Sequence, residues 1–237
     1  MVNILVPMGG KSQFFEGSQF AKQLIDVKGK PMVQHVIEQF KNIEQKKFIF
    51  VVNQDDCDNF HLDSVLRLAT DDNCEILKVQ TNTKGAVCSS LIAIEHINND
   101  EELIISNGDQ VIEIDFNEVL GHYKKHMLDG GVISFESLHP KWSFIRLDKG
   151  LIVETAEKRP ISKKAIAGFY YFKKGSDFVD ASMHSIEKDA NVNGLYYIAP
   201  VMNEMILKNK KLGAYEIEAS QYHSFYSPEK LKQYEKQ

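Results

Sequence analysis

Short, uninterrupted apolar runs alternate along the first part of the chain with segments whose apolar residues recur every three or four positions. Residues 2–7 (VNILVP) read as a buried strand, and residues 48–52 (FIFVV) are too continuously apolar to have a wet face. Residues 75–79, 103–106 and 131–135 are predicted as the third, fourth and fifth strands. Between them, Met32, Val33, Val36, Ile37 and Phe40 follow helical spacing, as do Val87, Leu91, Ile94 and Ile97. Further helices are predicted over residues 65–69 and 119–127, with Asp115 as a helix-start residue. Strands alternating with helices imply βαβ units and a mostly parallel sheet, with right-handed crossovers placing helices on both faces.

The pattern changes after residue 135. Residues 143–147, 151–156 and 165–172 read as strands, with a turn at Asp148-Lys149-Gly150. Helices follow over 176–186 and 200–207, then a strand over 212–217. A final helix over 227–234 has Ser227 as N-cap and Pro228 at its first position. Neither an internal repeat nor a Pro/Gly/Ser-rich linker divides the 237 residues. We therefore expect a single domain over 1–237, with functional halves at 1–135 and 136–237.

Hydrophobic residues make up 43% of the chain, enough for a sizeable core without disulfides or metals. Lys plus Arg is 28 against 33 Asp plus Glu, a net charge of -5, which argues against a nucleic-acid partner. Three cysteines with no CxxC point away from a disulfide framework and toward a reducing compartment. The apolar start of the chain ends at Gly9, Gly10 and Lys11, too short for a signal peptide or a membrane span. The expectation is a cytoplasmic protein with no membrane partner.

Candidate chemistry begins where the first strand runs into Gly9, Gly10, Lys11 and Ser12. Parallel sheets bind ligands beyond the carboxyl ends of their strands. Glycines let a phosphate approach backbone amides, and Lys11 adds positive charge. Neither GxxxxGK[ST] nor GxGxxG is present, so the residues alone fit a plain loop equally well. Residues 81–90 (TNTKGAVCSS) lead into a helix whose amino terminus offers N–H groups. The fourth strand leads into SNGDQ, where Asp109 stands at the position of a metal or phosphate ligand, or of an ordinary exposed loop acid. His122 and His126 lie four apart on one helix face without a third ligand in view, and no HExxH or GxSxG element occurs.

The segment PMGG, then Lys22, then LIDVKGKPM resembles the amino-terminal signature of sugar-phosphate nucleotidylyltransferases. The resemblance extends to about residue 231, and HPKWS with AEKRPIS is similar to short bacterial members linked to capsule or surface polysaccharide. It implies a three-layer, Rossmann-like (GT-A-type) α/β fold with a mixed, mostly parallel sheet. It makes the first half nucleotide-binding and the second acceptor-binding. Lys22 would neutralise the triphosphate beside Met8, Gly9, Gly10, Lys11 and Ser12. Thr83, Gly85, Ala86 and Asn107 would hold the rest of the nucleotide. Asp109 would bind Mg²⁺, with Mn²⁺ as the alternative. Glu157, Lys158, Gly168 and Asn193 would serve the acceptor, with Lys158 on its phosphate. Trp142 would cover it, although a core tryptophan fits the same pattern. Lys30 belongs to a turn that starts the next helix.

Departures from the family pattern are Gln13 for the loop arginine, Ala21 and Gln23 for the prolines flanking the lysine, and Leu195 for an acid. Residues 221–228 carry no carboxylate where a second metal aspartate is common, leaving Glu216, Glu218 or His223 as candidate replacements. His223 equally fits a surface or half-buried histidine. The implied reaction joins an NTP, CTP as first choice ahead of UTP and dTTP, to a phosphorylated acceptor such as a sugar 1-phosphate, releasing pyrophosphate. A homo-oligomer is compatible with this reading. A related glycosyltransferase would need Asp-x-Asp, where this chain has Asp109-Gln110-Val111. A non-catalytic nucleotide-binding protein of the same fold would bind without releasing pyrophosphate.

Overall fold

The computed structural model describes residues 1–10 and 20–236. Its strands are β1 (Val2–Pro7), β2 (Asp26–Val27), β3 (Lys30–Pro31), β4 (Lys46–Asn53), β5 (Cys74–Val79), β6 (Glu102–Ser106) and β7 (Gln110–Ile112). They continue with β8 (Gly130–Glu136), β9 (Ser143–Asp148), β10 (Leu151–Glu157), β11 (Lys164–Phe172), β12 (Leu212–Glu216) and β13 (Tyr222–Ser224). The helices are α1 (Met32–Glu38), α2 (Gln54–Phe60), α3 (Leu62–Ala69), α4 (Ala86–Leu91), α5 (Ile94–Ile97), α6 (Phe116–Lys125), α7 (Gly175–Glu187), α8 (Ile198–Leu207) and α9 (Pro228–Glu235).

Nine strands form one sheet in the order β10-β9-β11-β6-β1-β4-β5, and β8 lies between β11 and β12. β6, β1, β4 and β5 pair in parallel. β11 is antiparallel to β6, β8 and β9, and β9 to β10. Thus β1, β4, β5, β6, β8, β9 and β12 run one way and β10 and β11 the other. Ile4 and Val6 enter a core shared with α1, α3 and α6, while Leu5 enters one shared with α4, α7 and α8. That double burial is why β1 reads as unbroken apolar sequence.

Three features depart from the sequence pattern. The fifth predicted strand, β8, does not adjoin β6, because β11 is inserted between them. The single stripe over 87–97 is divided into α4 and α5, with Ala93 as N-cap of the second. α2 carries almost no apolar signal, only Cys57 being buried, and is started instead by the Asn53 side chain accepting the Asp55 N–H at 2.9 Å. Elsewhere the local signals hold. Asp115 caps α6 by accepting the Asn117 N–H, Pro228 opens α9, and Lys149 and Gly150 make the β9–β10 turn with positive φ. Among the described residues, no helix is long and apolar enough to cross a membrane.

Candidate active site

The carboxyl ends of β1 and β6 lie side by side, and the chain packs them by removing side-chain bulk. A Cβ on Gly108 would stand 2.4 Å from Met8 Cγ, so only glycine lets the segment after β6 lie against the end of β1. Gly9 is similarly tight, with Val79 Cγ2 at 2.7 Å from a Cβ. Lys22 starts a single helical turn, Lys22–Leu24, whose buried Gln23 donates to the Met8 carbonyl at 3.3 Å. This places Lys22 Nζ 2.6 Å from Asp109 Oδ2, with the two side chains 17% and 27% exposed. Two residues 87 apart in sequence therefore form an ion pair at the strand ends. Lys11 and Ser12 lie outside the described residues.

Two cavities meet at this pair. One, of about 210 Å³, is lined by Met8, Gly10, Lys22, Asn107 and Asp109 among others. The other, of about 470 Å³, shares Asn107 and Asp109 and is walled further by Ala86, Trp142, Glu157 and Gly168. Six sequence-selected residues thus fall on the larger cavity, and Met8, Gly10 and Lys22 on the smaller.

Gly168 sits where the register of β11 shifts between Ile166 and Tyr170, with φ at +59°. A Cβ there would stand 2.3 Å from both Asn107 Nδ2 and Gln110 Oε1. Gln110, fully buried, secures the irregular backbone by donating to the carbonyls of Ala167 and Gly168 at 2.8 and 3.0 Å. Its carbonyl oxygen accepts from the Tyr222 hydroxyl at 3.1 Å. The Asn107 N–H also donates to the Gly168 carbonyl. Gln110 is thus the hub through which β7 joins β11 and β13, a role that its reading as the middle of a missing Asp-x-Asp does not reveal.

On another wall of the larger cavity, Glu157 accepts a hydrogen bond from the Ser143 hydroxyl, and burial pushes its carboxyl above the usual range despite that bond. Trp142 packs edge-on against Phe135 at 5.5 Å and against Tyr222 at 5.5 Å, and also lines the larger cavity. It is both core and wall. Lys158 is exposed in a left-handed conformation, φ +53°, and donates to the Tyr197 hydroxyl at 2.9 Å. Tyr197 lines the cavity; Lys158 does not.

Thr83 and Gly85 line neither cavity and instead build the start of α4. Thr83 Oγ1 lies 2.6 Å from Ser89 Oγ, and Gly85, at φ +104°, lets the Tyr196 backbone come within 2.5 Å of where a Cβ would be. Asn193, at φ +53°, is exposed on the turn closed by the Val192–Leu195 bridge.

The candidates to replace a second metal carboxylate all point elsewhere. Glu216 pairs with Lys164, and Glu218 forms a reciprocal cap with Gln221. β13 pairs antiparallel with β7, and Tyr222 and Ser224 line the larger cavity. The period-two alternation of a strand then turns His223 to the opposite face. There its ring lies 4.9 Å from Tyr234, and its Nε2 lies 3.2 Å from Glu113 Oε1. At the C-cap of α6, His126 Nδ1 is engaged with the His122 carbonyl at 2.8 Å. Among the described residues, no group of three His, Cys, Asp or Glu side chains is arranged to hold a metal. Asp109 is the carboxylate at the junction of the cavities.

Lys141, Tyr170, Tyr197, Tyr222, Ser224 and Tyr226 also line the larger cavity without having been singled out from sequence. Alternation in β13 could have put Tyr222 and Ser224 on one face, but nothing local says that this face meets β7.

The sequence model described as nucleotidyl transferase matches residues 17–221. No curated protein matches the chain. Among solved structures, the fold is similar to a nucleoside-diphosphate-sugar pyrophosphorylase from Vibrio cholerae RC9, with TM-score 0.82, 21% identity, and 99% of this chain and 100% of that one covered. It is similar to the inositol-1-phosphate CTP transferase from T. maritima, with TM-score 0.77, 12% identity, and 99% and 93% covered. A UDP-glucose pyrophosphorylase complexed with UDP-glucose gives TM-score 0.76 at 16% identity, with 99% and 97% covered. At these identities the TM-scores show the shared fold alone, and the family match spans most of the chain. With its Rossmann-like α/β sheet and its cleft at the strand ends, the chain belongs to the nucleotidyl transferase family and is a nucleotidylyltransferase.

Proposed function

We propose that the protein joins an NTP to a phosphorylated small-molecule acceptor and releases pyrophosphate, supplying an activated precursor for capsule or surface polysaccharide. The observation that carries this reading is the Lys22–Asp109 pair, 2.6 Å apart where the two cavities meet. On this reading the smaller cavity takes the triphosphate and the larger takes the acceptor, within one domain. An oxygen of the acceptor phosphate attacks the α-phosphorus in line, the bond to the bridging oxygen breaks, and pyrophosphate leaves. That phosphate is already anionic at neutral pH, so no general base is needed. Lys22 neutralises the triphosphate, and Asn107 lies on the boundary between the two substrates. Gly10 leaves the backbone open to phosphate. Glu157 and Trp142 bound the acceptor, and Lys158 stands outside the cavity beside Tyr197. Catalysis is then positioning and charge neutralisation.

A divalent cation fits the donor set in one form. Asp109 is a hard oxygen donor beside the triphosphate cavity, and Mg²⁺ is commonly held by one or two carboxylates plus substrate phosphates. When bound, the cation would neutralise charge on the phosphates. CTP is our first choice of nucleotide, in keeping with the nucleotide named for the T. maritima neighbour.

The test is pyrophosphate release with each of four NTPs, Mg²⁺ or Mn²⁺, and a panel of sugar 1-phosphates and other phosphorylated metabolites. We expect one NTP and one acceptor to support turnover. Asp109→Ala and Lys22→Ala should each lower kcat by about a hundredfold or more, with chelation also abolishing release. NTP binding by calorimetry without release from any acceptor would point to a binder, and absence of NTP binding would overturn the reading.

A further inference from the structure

The larger cavity has an unbalanced charge in its wall. Its charged lining residues are Asp109, Glu157 and Lys141. Asp109 is neutralised by Lys22, and Glu157 is satisfied in part by the Ser143 hydroxyl. Lys141 has no carboxylate within ion-pair distance among the described residues; its ammonium is held by aromatic groups instead. It lies 4.4 Å from the Trp142 ring centroid and 4.4 Å from that of Tyr226, and donates to the Tyr226 hydroxyl at 3.1 Å.

Aromatic faces attract a cation and fix its position, but they do not cancel its charge. An ammonium has three N–H donors, and Tyr226 takes one of them. The backbone beneath is pinned as well. The Lys141 N–H donates to His139 Nδ1 at 3.1 Å, the Trp142 N–H to the His139 carbonyl at 3.3 Å, and the Trp142 carbonyl accepts from Lys158 N–H at 3.1 Å. A long, flexible side chain is thus held in place before any ligand arrives, which lowers the entropic cost of using it. Lys158, by contrast, is exposed, donates to Tyr197 and lies outside the lining.

We propose that Lys141 is an acceptor-binding residue that receives an oxyanion of the acceptor in the larger cavity. The proposal rests on reading that cavity as the acceptor pocket. The oxyanion is either the transferred phosphate or a second acidic group on the acceptor, and the two sources are separable. In either case the cation at this wall selects against acceptors that bring a positive charge there.

The experiment uses full-length protein with its lysines ¹³C-labelled at Cε and otherwise unmodified, which leaves their charge and all three N–H donors in place. The Lys141 signal is assigned by its loss in Lys141→Arg. Inorganic phosphate, glucose 1-phosphate and glucuronic acid 1-phosphate are titrated in turn through the millimolar range. We expect a saturable shift of the Lys141 signal. A shift with all three probes assigns the phosphate; a shift with glucuronic acid 1-phosphate alone assigns a second acid. In Lys141→Met, with its melting temperature checked against wild type, the probe that shifted should bind at least about tenfold more weakly, consistent with loss of a charge-assisted hydrogen bond. NTP affinity should be unchanged. A Lys141 signal unmoved by all three probes overturns the proposal. NTP binding, followed through the Lys22 signal in the same samples, reports separately on the nucleotidylyltransfer reading.

Discussion

The two halves of the sheet build their parts of the site by different means. In β6-β1-β4-β5, parallel strands end together, and small residues at Gly9, Gly10 and Gly108 leave room for close packing and for ligand. Around β11 the strands are antiparallel, and the site is shaped by a break in register, a left-handed glycine and a buried glutamine that secures both. The first half obtains its geometry from regular structure. The second obtains it from an irregularity that must be held in place by side-chain hydrogen bonds, and it is the half that shapes the larger cavity.

The sharpest way to break this contrast is to remove the hub. Gln110→Leu removes the side-chain partner of the buried Ala167 carbonyl and of the Tyr222 hydroxyl, and leaves the Gly168 carbonyl with the Asn107 N–H alone. We expect a loss of roughly 3–5 kcal/mol in chemical denaturation, since each buried group left unpaired costs about 1–3 kcal/mol. Gly168→Ala should come next. Its Cβ would meet Asn107 and Gln110 at 2.3 Å, with φ at +59° unfavourable for alanine. A loss of roughly 2–4 kcal/mol is expected, lowering Tm by about 5–12 °C in calorimetry.

A smaller effect is expected at Glu157, whose carboxyl is pushed up by burial from its ordinary value of 4.5. The folded state therefore holds that proton more tightly than the unfolded state, and stability falls as pH rises from the ordinary carboxyl range through the folded value. Glu157→Gln removes the penalty. Its Tm should exceed wild type at pH 7, and the gain should shrink toward zero below pH 4.5, as thermal melts across that range would register. Destabilisation at neutral pH would mean that the Ser143 bond outweighs the burial cost.

Gly10→Ala should have the least effect on stability. A Cβ there meets nothing within 4 Å among the described residues, so Tm should stay within about 1–2 °C of wild type. The added methyl stands at the smaller cavity, however, and the KM for NTP should rise. A stability loss comparable to that of Gly168→Ala would erase the distinction between the two halves.

The same contrast explains what was legible before folding. Buried parallel strands announce themselves as apolar runs, so β1, β4 and β6 could be read almost to the residue. Residue chemistry at strand ends then led to Asp109 and, with the family resemblance, to Lys22, Glu157 and Gly168. α2 was invisible because its start depends on an Asn53 cap rather than on apolar periodicity. β7 and β13 have three residues each, too few for a pattern, although their pairing brings Tyr222 and Ser224 to the cavity and turns His223 away from it.

By itself the sequence determined the alternation of strands and helices, the double burial of the central strands and the residue types at the strand ends. These are local consequences of side-chain period and backbone freedom, and they survive any uncertainty about who pairs with whom. Tertiary structure alone decided that β11 is inserted beside β6, that Gln110 braces Gly168, and that Lys22 meets Asp109 across 87 residues. It also decided that Lys141, rather than Lys158, stands in the cavity wall. Each depends on which backbone groups find one another across the sheet, and hydrogen bonds between distant segments leave no periodic trace in the chain.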